Sequence, residues 1–138
     1  MSQDCPFCRI ARGEIPAVKI LEDAVCLAFL DINPLAEGHV LLIPKAHVEQ
    51  IDAMPSDQAA AMLAHLPALV GAVRRATGCE GVNILQNNGR AAHQAVMHVH
   101  VHIIPRRGGD EFHFNWPARN YPPGRAAELT DKIRQAMK

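Results

Sequence analysis

The sequence predicts an α+β domain built on an antiparallel sheet of about five strands, with one long helix and a short helix near the C-terminal end. Three observations carry this. Short apolar runs recur between turn residues, one longer stretch repeats its apolar residues at three and four positions, and the links between runs are of hairpin length. No glycine-rich nucleotide loop of the G-x-G-x-x-G or Walker type argues for a doubly wound sheet instead.

In chain order, VKILED, VCLAFLD and HVLLIPK read as strands of a meander, the last two joined through NPLAEG. SDQAAAMLAHLPALVGAVRRATG follows, with Leu63, Leu66, Val70 and Val73 on one buried stripe. Ser56 is its expected N-cap and Gly78 its stop, and Pro67 inside it removes a backbone donor and should kink or shorten the helix. GVNILQ is a strand that runs into the Gly/Asn loop QNNGRAA, and AVMHVHVHIIP is another. Residues 106–125 are rich in glycine and proline and should be irregular. A terminal helix over about residues 126–137 follows, with Leu129, Ile133 and Met137 on one side.

The 138 residues suit one domain, 1–138. Fourteen basic residues balance fourteen acidic ones, so neither a nucleic-acid coat nor a membrane-surface protein is indicated. No segment has a signal peptide's apolar run or the roughly 18 apolar residues of a membrane span, and a cytoplasmic location with reduced thiols is expected. Cys26 lies in an apolar run and reads as core, whereas Cys79 in TGCEG is uninformative.

The stretch MHVHVHIIPRR places histidine at 98, 100 and 102. On a helix this spacing would turn His100 away from the other two; on a strand all three share a face, and Val99, Val101 and Ile103 share the opposite one. A solvated sheet face is the plain alternative, but Thr, Lys or Glu would serve there equally well. A single metal ion is the other, and distance weighs against it: residues four apart on a strand are separated by about 13 Å, and two nitrogens on one zinc by about 4 Å. What remains is nucleophile and proton-transfer chemistry near neutral pH, with a middle imidazole whose second nitrogen donates to a fixed acceptor.

HVHVHII resembles the histidine triad motif of the HIT superfamily of nucleotide hydrolases and transferases. IPAVKILEDAVCLAFLDINPLAEGHVLLIPKAHV and ILQNNGR…HQAVMHVHVHIIPR are similar to the two signature regions of that family. The resemblance implies a HIT-like fold that dimerises and chemistry at the α-phosphate of purine nucleotides, namely phosphoramidates or dinucleoside polyphosphates. In it His100 attacks phosphorus, His102 meets the phosphate and leaving group, the His98 carbonyl orients His100, and His39 supports the triad from behind. It further implies phosphate contacts from Asn87 and from Gln94, the latter by its side chain or only by its main chain, a ribose-binding acid at Asp31, and base contacts at Phe7, Ile10, Phe29 and Ile32, although these hydrophobes serve a core equally well. His93 and Ala95 depart from the family pattern, which has glycine at the first position and, in some members, a hydroxyl at the second. Trp116 in FNWP is a candidate to reach the site from the tail.

Cys5 and Cys8 form a CxxC, which alone does not make a tetrahedral metal site. A branch of the HIT family similar to this chain completes it with two histidines, which implies a structural zinc on Cys5, Cys8, His47 and His98 and no organic cofactor. His65 and His113 read as ordinary surface or satisfied histidines. Two other functions stay open: a metal-dependent hydrolase with the histidines as ligands, and a non-catalytic nucleotide-binding protein. Expected partners are a purine nucleotide and a second copy of the chain, with no nucleic acid and no membrane.

Overall fold

The computed structural model describes residues 4–137. Its elements run α1 (Pro6–Ala11), β1 (Lys19–Glu22), β2 (Cys26–Leu30), β3 (Val40–Pro44), α2 (Ser56–Leu63), α3 (Leu66–Thr77), β4 (Gly81–Gln86), β5 (Val101–Arg106) and α4 (Arg125–Ala136), with short 3-10 turns at Ile51–Ala53 and Arg90–Ala92. The five strands form one antiparallel sheet in the order β1-β2-β3-β5-β4, so β4 is an edge. This is the α+β architecture that the apolar runs and hairpin-length links predict.

Alternation along the strands divides the core into two layers. Cys26, Ala28, Val40, Leu42, Val99, Val101 and Ile103 face α2 and α3 and pack on Met62, Leu69 and Val73. Leu27, Phe29, Leu41 and Ile43 face the other way and are covered by Cys5, Phe7, Cys8 and Ile10 of the N-terminal segment. The central strands β2 and β3 are therefore buried on both faces, which is why they read as continuous apolar runs.

Several elements differ from the sequence reading. α1 has no counterpart in the sequence pattern; six residues are too few to display a helical period, and the helix exists because Phe7, Cys8 and Ile10 bury against the sheet. The single long helix is two, because Pro67 cannot donate to a carbonyl one turn earlier and instead sits in the first turn of α3. Ser56 is the first helical residue and Pro55 the cap, with no side-chain capping bond. Gly78 does end α3, in the left-handed conformation at φ 63°. The last strand begins at Val101, later than the AVMHVHVHIIP run implies. Its ladder partner β3 ends at Pro44, which has no amide hydrogen, and Val99 N–H bonds instead to the Val48 carbonyl at 2.7 Å.

Gly38 has φ +89°, and a Cβ there would stand 2.5 Å from Thr77 Cγ2 and 3.5 Å from Pro105 Cγ. Gly38→Ala combines an unfavourable backbone with overpacking against Thr77 of α3, and is expected to lower unfolding free energy by about 2 kcal/mol or more in urea titrations.

Candidate active site

The chain carries His98 and His100 to the sheet through a bend over residues 96–98, before β5 takes up pairing and places His102 opposite Leu41 of β3 and Leu85 of β4. The alternation persists through the bend: the valines remain in the layer beneath α3, and the imidazoles turn towards α1, where Phe7 meets His98 and His100 edge-on at 5.8 and 5.1 Å.

Backbone and neighbouring groups fix the proton position on each ring. His100 Nδ1 lies 2.7 Å from the His98 carbonyl, so this nitrogen donates and Nε2 carries the lone pair. His98 Nε2 donates to the Pro44 carbonyl at 2.8 Å, which leaves Nδ1 as its acceptor. His39 Nδ1 accepts the Leu35 N–H at 3.1 Å, so neutral His39 donates through Nε2 to His102 Nδ1 at 2.9 Å. His102 then holds its own proton on Nε2. Burial pushes His39 below the usual histidine range and His102 to about 4, the latter with help from His100 and His39, so both rings are neutral at pH 7.

His100 and His102 sit at the junction of two cavities. The first, about 450 Å³, is mostly apolar, and its lining includes Phe7, Ile10, Phe29, Ile32 and Asp31. Phe7, Ile10 and Phe29 belong to the core as well, whereas Ile32 is 85% exposed and is no core residue. Asp31 accepts the Asn33 N–H with one oxygen at 2.9 Å and sets the other 3.7 Å from His39 Nε2. The second cavity, about 580 Å³, has Asn87, His93 and Ala95 on the loop side and Phe112 to Asn115 on the tail side.

Gln94 sits apart from both linings. Its side chain accepts the Gly89 N–H at 2.7 Å and donates to the Glu49 and Val96 carbonyls at 2.7 and 3.0 Å, so the amide pins the loop and, of the two routes to phosphate, only the main chain is left. Trp116 is 82% exposed and absent from both linings, while His113, read as an ordinary histidine, lines the second cavity. The tail residues Phe112 to Asn115 carry no sequence signal of their own. Arg106 places them, donating to both oxygens of Asp110 at 2.7 and 2.6 Å, to Asn83 Oδ1 at 2.6 Å and to the Phe112 carbonyl, with its guanidinium 4.7 Å from the Phe112 ring centre. His65 is satisfied by Asp23 at 2.7 Å.

At the far end of the triad, Cys5, Cys8, His47 and His98 bring their ligand atoms within 4.8 Å of one another. Sγ to Nδ1 distances are 3.4 Å for Cys5–His98, 3.5 Å for Cys8–His98 and 3.3 Å for Cys8–His47. A tetrahedral zinc with Zn–S of about 2.3 Å and Zn–N of about 2.0 Å has S···N edges of about 3.5 Å, so the set fits that ion. The His98 tautomer fits too, because its lone pair faces the sulfurs.

A sheet that brings His100 and His102 to the junction of two cavities, with His98 next in line, has the arrangement of the histidine triad class. The HIT domain matches residues 12–109, and the chain belongs to that family. It is 43% identical over 136 residues to the adenosine 5′-monophosphoramidase hnt1 of Schizosaccharomyces pombe, covering 97% of this chain and 98% of that one. It is 46% identical over 110 residues to the adenylylsulfatase HINT3 of Arabidopsis thaliana, covering 80% of this chain but 56% of the plant protein. The crystal structure of SMU.412c from Streptococcus mutans superposes with a TM-score of 0.95 at 39% identity, over 100% of this chain and 88% of that one. A zinc-bound histidine triad family protein from Mycobacterium smegmatis does so at 0.76 and 35%, over 99% of each chain.

His39 and His102 have lowered proton affinity when folded, so the unfolded chain binds more protons below its ordinary histidine pKa of about 6.5. Their contribution is fully present above that pH and is lost as pH falls through about 4 for His102. Urea midpoints are expected to drop across this window, and the drop should shrink in His102→Gln.

Proposed function

We propose that this chain is a nucleotidyl hydrolase acting at the α-phosphate of purine nucleoside phosphoramidates or dinucleoside polyphosphates. The observation that carries the reading is the bare Nε2 of His100 at the junction of the two cavities, fixed by the 2.7 Å bond from its Nδ1 to the His98 carbonyl. The nucleoside occupies the apolar cavity, its base against Phe7, Ile10, Phe29 and Ile32 and its ribose near Asp31. His100 Nε2 forms a bond to phosphorus as the bond to the leaving group breaks. His102, protonated on Nε2, donates to the phosphate or the departing atom, with Asn87 on a phosphate oxygen and His39 holding the tautomer. Water then opens the nucleotidyl–histidine bond, which releases the monophosphate and returns the ring to its starting state. The named activities of the yeast and plant relatives, on a phosphoramidate and on an adenylyl sulfate, support this reading.

Cys5, Cys8, His47 and His98 would hold a structural zinc. With four protein ligands it has no open position, and it ties the N-terminal segment to the sheet without activating water. Edge strand β4, where Ile84 is 51% exposed, is the surface through which two copies would join as a homodimer. A catalytic metal is the second reading, favoured by one observation: Asp31, His39 and His102 also place ligand atoms within 4.8 Å of one another.

His100→Ala is expected to reduce hydrolysis of adenosine 5′-phosphoramidate by about 10³-fold or more while adenosine monophosphate binding stays within a few-fold of wild type. Mass spectrometry with a slow substrate should show a nucleotidyl adduct on residue 100, and unchanged turnover in the variant would defeat the nucleophile assignment. A zinc chelator is expected to lower the melting temperature and leave the turnover of still-folded protein intact. Loss of turnover at full folding would support the second reading instead.

A further inference from the structure

His93 is the one non-glycine residue with positive φ among the described residues, at φ 65° and ψ 27°. It closes the 3-10 turn Arg90–Ala92, with its N–H on the Arg90 carbonyl at 3.0 Å and the next amide, of Gln94, on the Gly89 carbonyl at 3.1 Å. This backbone favours glycine, the residue that the family pattern has at this position, and a side chain kept there carries conformational strain. The strained residue is also well placed: it lines the second cavity together with His100 and His102.

The lining of that cavity has a distinct chemistry. Asn87, His93, His113 and Asn115 are all able to donate hydrogen bonds, and neither a carboxylate nor a Lys or Arg is among the lining residues. Asp110, close by in the tail, has its carboxylate held by Arg106 at 2.6 and 2.7 Å. The nucleoside-side cavity has Asp31 instead. A donor-rich wall without acids suits an oxyanion, whereas a cationic amine would find no counter-charge.

We propose that His93 is a specificity-determining residue, its imidazole acting with that of His113 to receive the oxyanion leaving group of a nucleotide anhydride, so that this chain favours anhydrides over phosphoramidates. The inference rests on the reading of His100 as nucleophile. As the bond from His100 Nε2 to phosphorus forms, the bond from phosphorus to the bridging oxygen breaks, and the electron pair stays on that oxygen. The acid departs as its anion against the imidazole and amide donors. An amine instead needs a proton on nitrogen to leave, which His102 supplies and His93 does not assist. Water then opens the intermediate as before.

The test compares kcat/KM of the full chain for diadenosine tetraphosphate and adenosine 5′-phosphoramidate, in wild type, His93→Gly and His93→Asn. Wild type is expected to favour the anhydride. Glycine relieves the strained backbone, so His93→Gly should melt no lower than wild type, lose about tenfold on the anhydride, and stay within about twofold on the phosphoramidate. Asparagine tolerates the left-handed region and keeps a donor, so His93→Asn should recover part of the loss. A wild-type preference for the phosphoramidate, or equal effects of His93→Gly on both substrates, including none, would overturn the inference and leave the nucleophile assignment standing. Wild-type hydrolysis of neither substrate would remove that assignment, and this inference with it.

Discussion

The site depends on hydrogen bonds that decide which nitrogen of each imidazole holds its proton. Three of the four rings are tied to main-chain groups: His100 to the His98 carbonyl, His98 to the Pro44 carbonyl and His39 to the Leu35 amide. His102 takes its tautomer from His39. Four chemically identical side chains therefore offer different faces, an acceptor to the cavities from His100, a donor from His102 and an acceptor to the sulfurs from His98. Tautomer choice of this kind costs nothing at the moment of reaction because the fold has already made it.

The sheet makes that choice possible. β2 and β3 are covered on both sides, so the carbonyl of Pro44 at the end of β3 is a rigid anchor for the His98 ring. Pro44 also lacks an amide hydrogen to continue the ladder, and the chain is released into the bend that carries His98 towards the cysteines. One proline thus helps end a strand and orient the His98 ring.

Much of this was legible in the sequence. The period-two pattern of HVHVH, set against Val99, Val101 and Ile103, gave the shared face of the triad, and the apolar runs gave the meander. Gly78 marked the end of α3, and Pro67 marked a disturbance whose full extent, a break into two helices, depends on packing. The rest was hidden for physical reasons. α1 is too short to show a period and owes its existence to tertiary burial. The tail wall of the second cavity is placed by Arg106 through contacts with Asn83, Asp110 and Phe112, and such cross-chain bonds leave no local signal. Side chain and main chain of Gln94 were equally open as routes to phosphate, and only its partners reveal that the side-chain amide holds the loop.

The lone pair that His100 turns to the cavities has a stereochemical corollary for the proposed reaction. If the incoming ring and, later, the incoming water both displace along the axis of that one nitrogen, phosphorus inverts twice. A substrate made chiral there with oxygen isotopes or sulfur would keep its original handedness in the product, whereas direct attack by water would yield the mirror arrangement.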